Sequence, residues 1–304
     1  MARPTFYDEQ KKNRRDSILL AIVVSLVLFG LVYFFAYIFA PEALVFVLPL
    51  SLILIVAYTW GSYQYGPQVV ISSTHARPAE GNEFIYLNNV AEGLSIAAGV
   101  PPPKVYVIDD PEINAFATGK DPEHSSIAVT TGALQGLNRS ELEGVVAHEL
   151  SHVRNRDIQF MTYIAVLVGL VSILSHIILR WSWFGGSRQR GRDRDRGGGS
   201  GFQVAILLLG LVLAILAPIA VALIQFAINR RREFMADAGG AELTRFPEGL
   251  ASALEKIKNN NQGKMKVDEA ISPLFISDPN KTALDNLFAT HPPLEERIKR
   301  LRQM

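Results

Sequence analysis

His148-Glu149-Leu150-Ser151-His152 places three chemically active side chains within five residues. On a helix, positions i and i+4 lie one above the other, so His148 and His152 could aim both imidazoles at one Zn²⁺. Glu149 borders that face and could hold a metal-activated water and take its proton. Two histidines make half of a catalytic zinc site, which needs a third protein ligand and an open position. The other histidines are His75, His124, His176 and His291, and the third ligand could also be a carboxylate. The best carboxylate lies in Asn229-Arg230-Arg231-Arg232-Glu233-Phe234-Met235-Ala236-Asp237. Glu233 and Asp237 are again i and i+4. Either Glu233 closes the site, with Asp237 orienting a ligand histidine through its far nitrogen, or Glu233 pairs with a neighbouring arginine on a solvated face.

These residues need elements to hold them. Ser140 and Glu143 form a capping-box pattern, and Leu142, Val145, Val146, Leu150 and Val153 recur with helical spacing. A helix over Glu141–Arg156 follows. Before it, Phe84–Ala98 reads as an amphipathic helix ended by Gly99 and three prolines, and Lys104–Ile108 and Ser126–Thr131 read as strands. Asn114-Ala115-Phe116-Ala117-Thr118-Gly119 lies between the strands. It is either a sheet edge able to accept an extended peptide or an ordinary core strand or loop. A helix near Ala241–Lys258 and a polar stretch come after Asp237, and Pro292-Pro293 opens a last helix over Leu294–Leu301. These parts read as mainly α with a small β-sheet, an α+β arrangement, without an internal repeat.

The chain has 304 residues, 49% hydrophobic, a net charge of +1 and no cysteine. The charge balance and the lack of a basic domain give no support to nucleic-acid binding. The lack of cysteine excludes disulfides and thiolate metal sites. Four apolar runs are long enough to cross a bilayer: Ser17–Ala40, Leu44–Trp60, Phe160–Leu179 and Phe202–Ile228, with Pro41-Glu42 turning the first pair. The first is too long for the apolar core of a cleaved signal. His176 in the third run is either a proton or metal site or a residue facing the bundle interior. Arg3, Lys11, Lys12, Arg14, Arg15, Arg154, Arg156 and Arg230–Arg232 put the N-terminal tail, His148 and Glu233 on the cytoplasmic side. Arg180, Arg188, Arg190, Arg192, Arg194 and Arg196 would then lie outside, against the positive-inside tendency. A pair of segments that dip into the membrane without crossing is therefore an alternative. The Arg/Gly-rich loop 180–201 is low-complexity, either a solvated linker or a binder of anionic headgroups.

The ordered set of motifs is more specific than any one of them. His148-Glu149-x-x-His152 precedes a hydrophobic pair, Glu233-Phe234-x-Ala236-Asp237 follows it, and Thr290-His291-Pro292-Pro293 lies near the C-terminus. Together with the N-terminal hairpin and Asn114–Gly119, this resembles, over nearly the whole chain, the HtpX group of membrane metalloproteases in the M48 peptidase family, to which the CAAX prenyl protease Ste24 is related. The resemblance implies a polytopic membrane protein with a zincin-like (gluzincin) catalytic domain and one Zn²⁺ per chain. It implies an endopeptidase at the cytoplasmic face of the cell membrane that degrades misfolded or damaged membrane proteins and can cleave itself. By motif match, His148, His152 and Glu233 would bind the metal, Glu149 would be the base and Asp237 would support a ligand. Asn114, Ala115, Phe116 and Ala117 would hold substrate backbone, and His291 would meet the oxyanion, with Arg297 a second candidate for that region. The division implied is a tail (1–16), a transmembrane hairpin (17–60), the first catalytic part (61–157), the second hydrophobic pair with its loop (158–229) and the second catalytic part (230–304). A prenyl-peptide protease and a non-catalytic zinc-stabilised scaffold are the alternatives. Partners are polypeptide substrates and the lipid bilayer, not nucleic acid.

Overall fold

The computed structural model describes residues 41–162, 230–268, 271–279 and 291–304, together with residue 165 and scattered positions between 15 and 37. The loop 180–201, the fourth apolar run, His176 and most of the third run lie outside the described residues. The chain divides into two compact units. One comprises residues 1–18, 63–166 and 225–304, and the other comprises 19–62 and 167–224.

After a short 3₁₀ turn at Pro41–Ala43, helix α1 runs from Leu44 to Ser73. The second apolar run was expected to end near Trp60, but the helix continues unbroken through Gly61 for 30 residues, about 45 Å at 1.5 Å per residue. It runs on through Gly61, Ser62, Gly66 and Pro67, residues that often end helices. Among the described residues, Pro41–Ser73 is the one stretch long and apolar enough to cross a membrane, with an 18-residue window of mean hydropathy 2.3.

Beyond α1 the first unit folds around one mixed sheet. Its strands are β1 (Arg77–Pro78), β2 (Lys104–Ile108), β3 (Ala115–Gly119) and β4 (Ser125–Thr130), in the order β1-β2-β4-β3. β2 and β4 are parallel, and β1 and β3 are antiparallel to their neighbours. β3 and β4 are buried along their whole length, consistent with sequences of small and β-branched residues. Helix α2 (Ile85–Ala98) ends at Gly99, whose φ of 69° supplies the left-handed cap. The short α3 (Thr131–Gly136) is capped by the Thr130 hydroxyl, which accepts from Ala133 N–H.

Helix α4 (Arg139–Arg154) carries the two histidines and is buried at Glu141, Leu142 and from Gly144 to Val153. Its cap is Asn138, not the expected Ser140. Asn138 Oδ1 accepts from Glu141 N–H at 3.0 Å, and Glu141 Oε2 accepts from Asn138 N–H at 2.7 Å. Both tetrads match a capping box. The earlier one wins because Glu141 is buried and meets Lys256 Nζ at 2.7 Å, whereas Glu143 faces Arg139 on the surface. After a turn at Asn155–Arg156, α5 occupies residues 157–162 of the described chain, and α6 spans 230–244. The helix expected over Ala241–Lys258 is broken. Arg245 takes a φ of 54°, and α7 starts afresh at Pro247 and runs to Asn260. Proline disfavours helical geometry in the residue before it, and Phe246 is accordingly extended. The last helix, α8 (Leu294–Leu301), lies where its sequence places it. The core joins β2–β4, α2, α4 and α7 through Val107, Ile127, Val146, Leu150, Leu254 and Ile257, all at most 1% exposed.

Candidate metal centre

α4 and α6 meet through small residues. A Cβ built on Gly239 would lie 2.6 Å from Ser151 Oγ, and one on Gly240 would lie 3.1 Å from the His148 nitrogen. Only hydrogen at both positions lets the helix axes approach this closely. The approach carries Glu233 and Asp237, two turns and one turn earlier on α6, against the histidines of α4. Glu233 Oε2 is 3.6 Å from His148 Nε2, and Glu233 Oε1 is 3.4 Å from His152 Nε2. The donor atoms of all three lie within 4.8 Å of one another, in full burial.

The far nitrogens of the histidines are also engaged. His148 Nδ1 is 3.1 Å from Asp237 Oδ1, and His152 Nδ1 is 3.2 Å from Asp157 Oδ2. Each imidazole therefore presents Nε2 to Glu233 and anchors Nδ1 on a carboxylate, the arrangement that fixes ligand histidines. Asp157 was not singled out in the sequence. It follows the end of α4, and a left-handed turn at Arg156, φ 61°, folds it back under His152. Arg232 Nε lies 3.4 Å from Asp157 Oδ1, with its guanidinium 3.6 Å from the Phe160 ring centroid.

Arg297 on α8 is fully buried. Its Nε and Nη2 donate to both oxygens of Asp237 at 2.9 and 2.7 Å, and Nη1 donates to the Ile276 carbonyl at 2.9 Å. Nη1 also lies 3.0 Å from Glu233 Oε2, within range for charge pairing but out of hydrogen-bond alignment, since that oxygen makes no hydrogen bond. Arg297 therefore holds both carboxylates, and its Nη2 also lies 3.4 Å from His148 Nε2. His291 enters the same cluster, with Nε2 3.9 Å from Glu233 Oε1.

Glu149 points from α4 toward β3. The Ala117 backbone N–H faces its carboxylate, and its Oε1 has no hydrogen-bond partner although fully buried. Burial pushes its carboxyl up to about 8, against the pull of His152 and Arg297. Burial also works to lower His152, but its hydrogen bonds to Asp157 and Glu233 prevail and raise it to about 10. Burial lowers His148 and His291. Glu233 and Asp237 resist the raising effect of burial, chiefly because the Arg297 charge holds both below the usual carboxylate range.

The expected substrate segment sits at a sheet edge beside Glu149, but part of that edge is already used. Ile276 N–H donates to the Ala115 carbonyl at 2.9 Å, and Phe116 bridges Phe275 with their rings 4.9 Å apart. The Asn114 side chain accepts from Ala115 and Ser277 N–H and donates to the Ser277 carbonyl. Ala117 is therefore the residue of the segment that meets Glu149.

The donor set suits a divalent cation of the zinc type. Bonds of 2.0–2.2 Å at tetrahedral angles put neighbouring donors about 3.3–3.5 Å apart, close to the 3.4 and 3.6 Å separations here. Two imidazoles and one carboxylate leave one position of a tetrahedron open, and the neighbouring Glu149 keeps one oxygen without a hydrogen-bond partner.

Comparison with known proteins gives a consistent picture. The model of peptidase family M48 matches residues 82–304. A protease HtpX homolog of Caldanaerobacter subterraneus subsp. tengcongensis is 46% identical over 308 residues, covering 100% of this chain and 99% of that protein. A second, from Thermoanaerobacter pseudethanolicus, is 45% identical over 304 residues, again covering 100% and 99%. One from Streptococcus uberis is 39% identical and covers 98% and 99%. The crystal structure of S. mikatae Ste24p shares the fold, with a TM-score of 0.50 at 21% identity, over 97% of this chain and 67% of that one.

Proposed function

The chain belongs to peptidase family M48, and on that premise we propose that it is a membrane-embedded, zinc-dependent endopeptidase of the gluzincin type. The observation that carries this reading is the buried His148–His152–Glu233 cluster with Glu149 beside it. A structural zinc site closes all four positions with protein ligands and has no use for an adjacent base.

His148, His152 and Glu233 would hold the metal. Bound there, Zn²⁺ would act as a Lewis acid toward a peptide carbonyl and lower the pKa of water to about 7. Glu149 takes the proton of the attacking water on its unpartnered oxygen and passes it to the leaving amine. Burial raises its pKa, and a dication held by His148, His152 and Glu233 would pull it back toward the carboxylate form that a base needs. Asp237 and Asp157 keep the imidazoles oriented through Nδ1, and Arg297 holds Asp237 and Glu233 in place. Ala117 meets the substrate backbone next to Glu149, with Asn114, Ala115 and Phe116 building that edge. His291, near Glu233, donates toward the developing oxyanion.

Residues 17–60 form a transmembrane hairpin and 158–229 a second hydrophobic pair around the loop 180–201. The two catalytic parts, 61–157 and 230–304, join at the cytoplasmic face of the cell membrane. Arg154 and Arg156 before the third apolar run and Arg230–Arg232 after the fourth support that orientation. Misfolded membrane proteins, whose tails and loops reach that surface, are the substrates, in a quality-control role. Casein cleavage by detergent-purified protein should stop on chelation and return with about one equivalent of Zn²⁺. Cleavage that survives complete zinc removal would overturn the reading.

A further inference from the structure

None of the candidate site residues lines a hollow of about 390 Å³ where the end of α2, the β3–β4 loop and the end of α4 meet. Arg154 and Arg156 come from α4 and its turn, Asp121 and Glu123 from the loop, and Gly99 from the end of α2. A neighbouring hollow of about 360 Å³ shares Gly99 and Arg154.

The walls carry opposite signs. Guanidinium groups enter from α4 and its turn, and that of Arg154 also stands 3.4 Å from the exposed Glu242 carboxylate, which a phosphate would have to share or displace. From the other elements come two carboxylates and the carbonyl end of α2, which carries the negative pole of that helix. A bare anion would meet the acids and a bare cation would meet the arginines. A ligand with a phosphate at one end and an ammonium at the other satisfies both walls. Arginine forks match phosphate oxygens, and the exposed Glu123 carboxylate suits an ammonium that can donate hydrogen bonds.

The loop beside the hollow also reaches α1, the helix that the bilayer placement proposed above puts through the membrane. Lys120, next to Asp121, donates to Gln64 Oε1 on α1 at 2.9 Å. Next to Gln64, Tyr65 is exposed by 61%. Such aromatic residues gather at the headgroup level of a membrane. On the other side, Phe160 opens the third apolar run four residues after Arg156.

We propose that this hollow binds the phosphoethanolamine headgroup of a membrane phospholipid, with the phosphate on Arg154 and Arg156 and the ammonium toward Glu123 and the end of α2. Arg156 gives the site a link to the metal cluster. Its left-handed backbone, φ 61°, aims its own side chain at the hollow and turns the next residue, Asp157, under His152. For a residue with a Cβ this conformation is strained, so a headgroup held by Arg156 would help fix the turn.

The test titrates the full-length detergent-purified chain with dihexanoyl phosphatidylethanolamine, dihexanoyl phosphatidylglycerol, O-phosphoethanolamine and inorganic phosphate by calorimetry. The ethanolamine lipid is expected to bind at least about tenfold more tightly than the other three, since one tenfold step is the scale of a single good charged contact. Glu123→Gln should reduce it to the level of the glycerol lipid and leave the latter unweakened. Arg156→Gly should weaken both lipids about tenfold while keeping the fold, because glycine accepts the positive φ without strain. If that variant does not fold, Glu123→Gln decides alone. Equal binding of the two lipids, or an unchanged Glu123→Gln, overturns the proposal. O-phosphoethanolamine or phosphate binding as tightly as the ethanolamine lipid would make the ligand a soluble one and overturn the lipid assignment. Glu149→Gln should bind the lipid like wild type, so a failure of the peptidase reading is separable from a failure here.

Discussion

Replacing Arg297 with leucine separates a clamp from a catalytic group. In the folded protein Arg297 makes two hydrogen bonds to Asp237 and one to the Ile276 carbonyl, and its Nη1 stands 3.0 Å from Glu233. Leucine fills much of the stem volume but leaves two buried carboxylates facing each other. Breaking a buried charge pair by removing one partner costs about 3–5 kcal/mol. At roughly 2–4 °C per kcal/mol for a domain of this size, the unfolding midpoint should fall by about 6–20 °C. The loss should be largest in chelated protein and smaller with saturating Zn²⁺, because a dication held by Glu233 takes over part of the charge that Arg297 balanced. The assay is thermal unfolding followed by tryptophan fluorescence in detergent, with and without chelator. Arg297→Lys should recover only part of the loss, since one ammonium cannot span both oxygens of Asp237 and also reach Ile276. A midpoint within about 2 °C of wild type in both conditions, alongside lost cleavage, would refute the clamp and place Arg297 at the reacting atoms.

Two further outcomes follow from the same geometry. Asp157→Asn should weaken zinc affinity about 10–100-fold, measured by competition with a chelating dye, because it removes the carboxylate 3.2 Å from His152 Nδ1; an unchanged affinity would make that contact incidental. Glu149→Gln should stabilise chelated protein in a pH-dependent way. Burial raises the Glu149 pKa from 4.5 to about 8, so between those values the folded state binds more protons than the unfolded state, and wild-type stability falls as pH rises. The variant lacks that loss. Its advantage should be absent below about pH 4, grow through the window and level off above about pH 8 at up to a few kcal/mol. A constant difference between unfolding midpoints across that range would contradict the account.

What could be read from the sequence was local. The i, i+4 spacings of His148/His152 and Glu233/Asp237 fix each pair on its own helix face, and both faces meet in the structure. The positions of β2, β4 and α8 were legible because hydrophobic runs and prolines bound them, whereas β3 stayed open between strand and loop and the two-residue β1 left no signal. Asp157 was not, because its approach to His152 depends on a left-handed turn at Arg156, which no propensity favours in arginine. Arg297 was named only through the family resemblance, although its own helix carried a signal. Leu294, Arg297, Ile298 and Leu301 share one face of α8, and the last three are buried, so an arginine within an apolar stripe marked a buried cation. Asn138 and Ser140 head overlapping capping tetrads, and only the burial of Glu141 against Lys256 decides between them. The use of the β3 edge by Phe275 and Ile276 joins residues some 160 positions apart, beyond any spacing rule.

The most direct test of the central claim compares wild type with Glu149→Gln, both stripped with chelator, refilled with Zn²⁺ and purified in detergent, with bound zinc and casein cleavage measured on the same samples. The account predicts about one zinc per chain in both proteins and a cleavage rate lower in the variant by about 10²–10⁴-fold, the usual contribution of a general base. Equal zinc with equal cleavage would contradict it, because Glu149 could then not be the group that moves the proton.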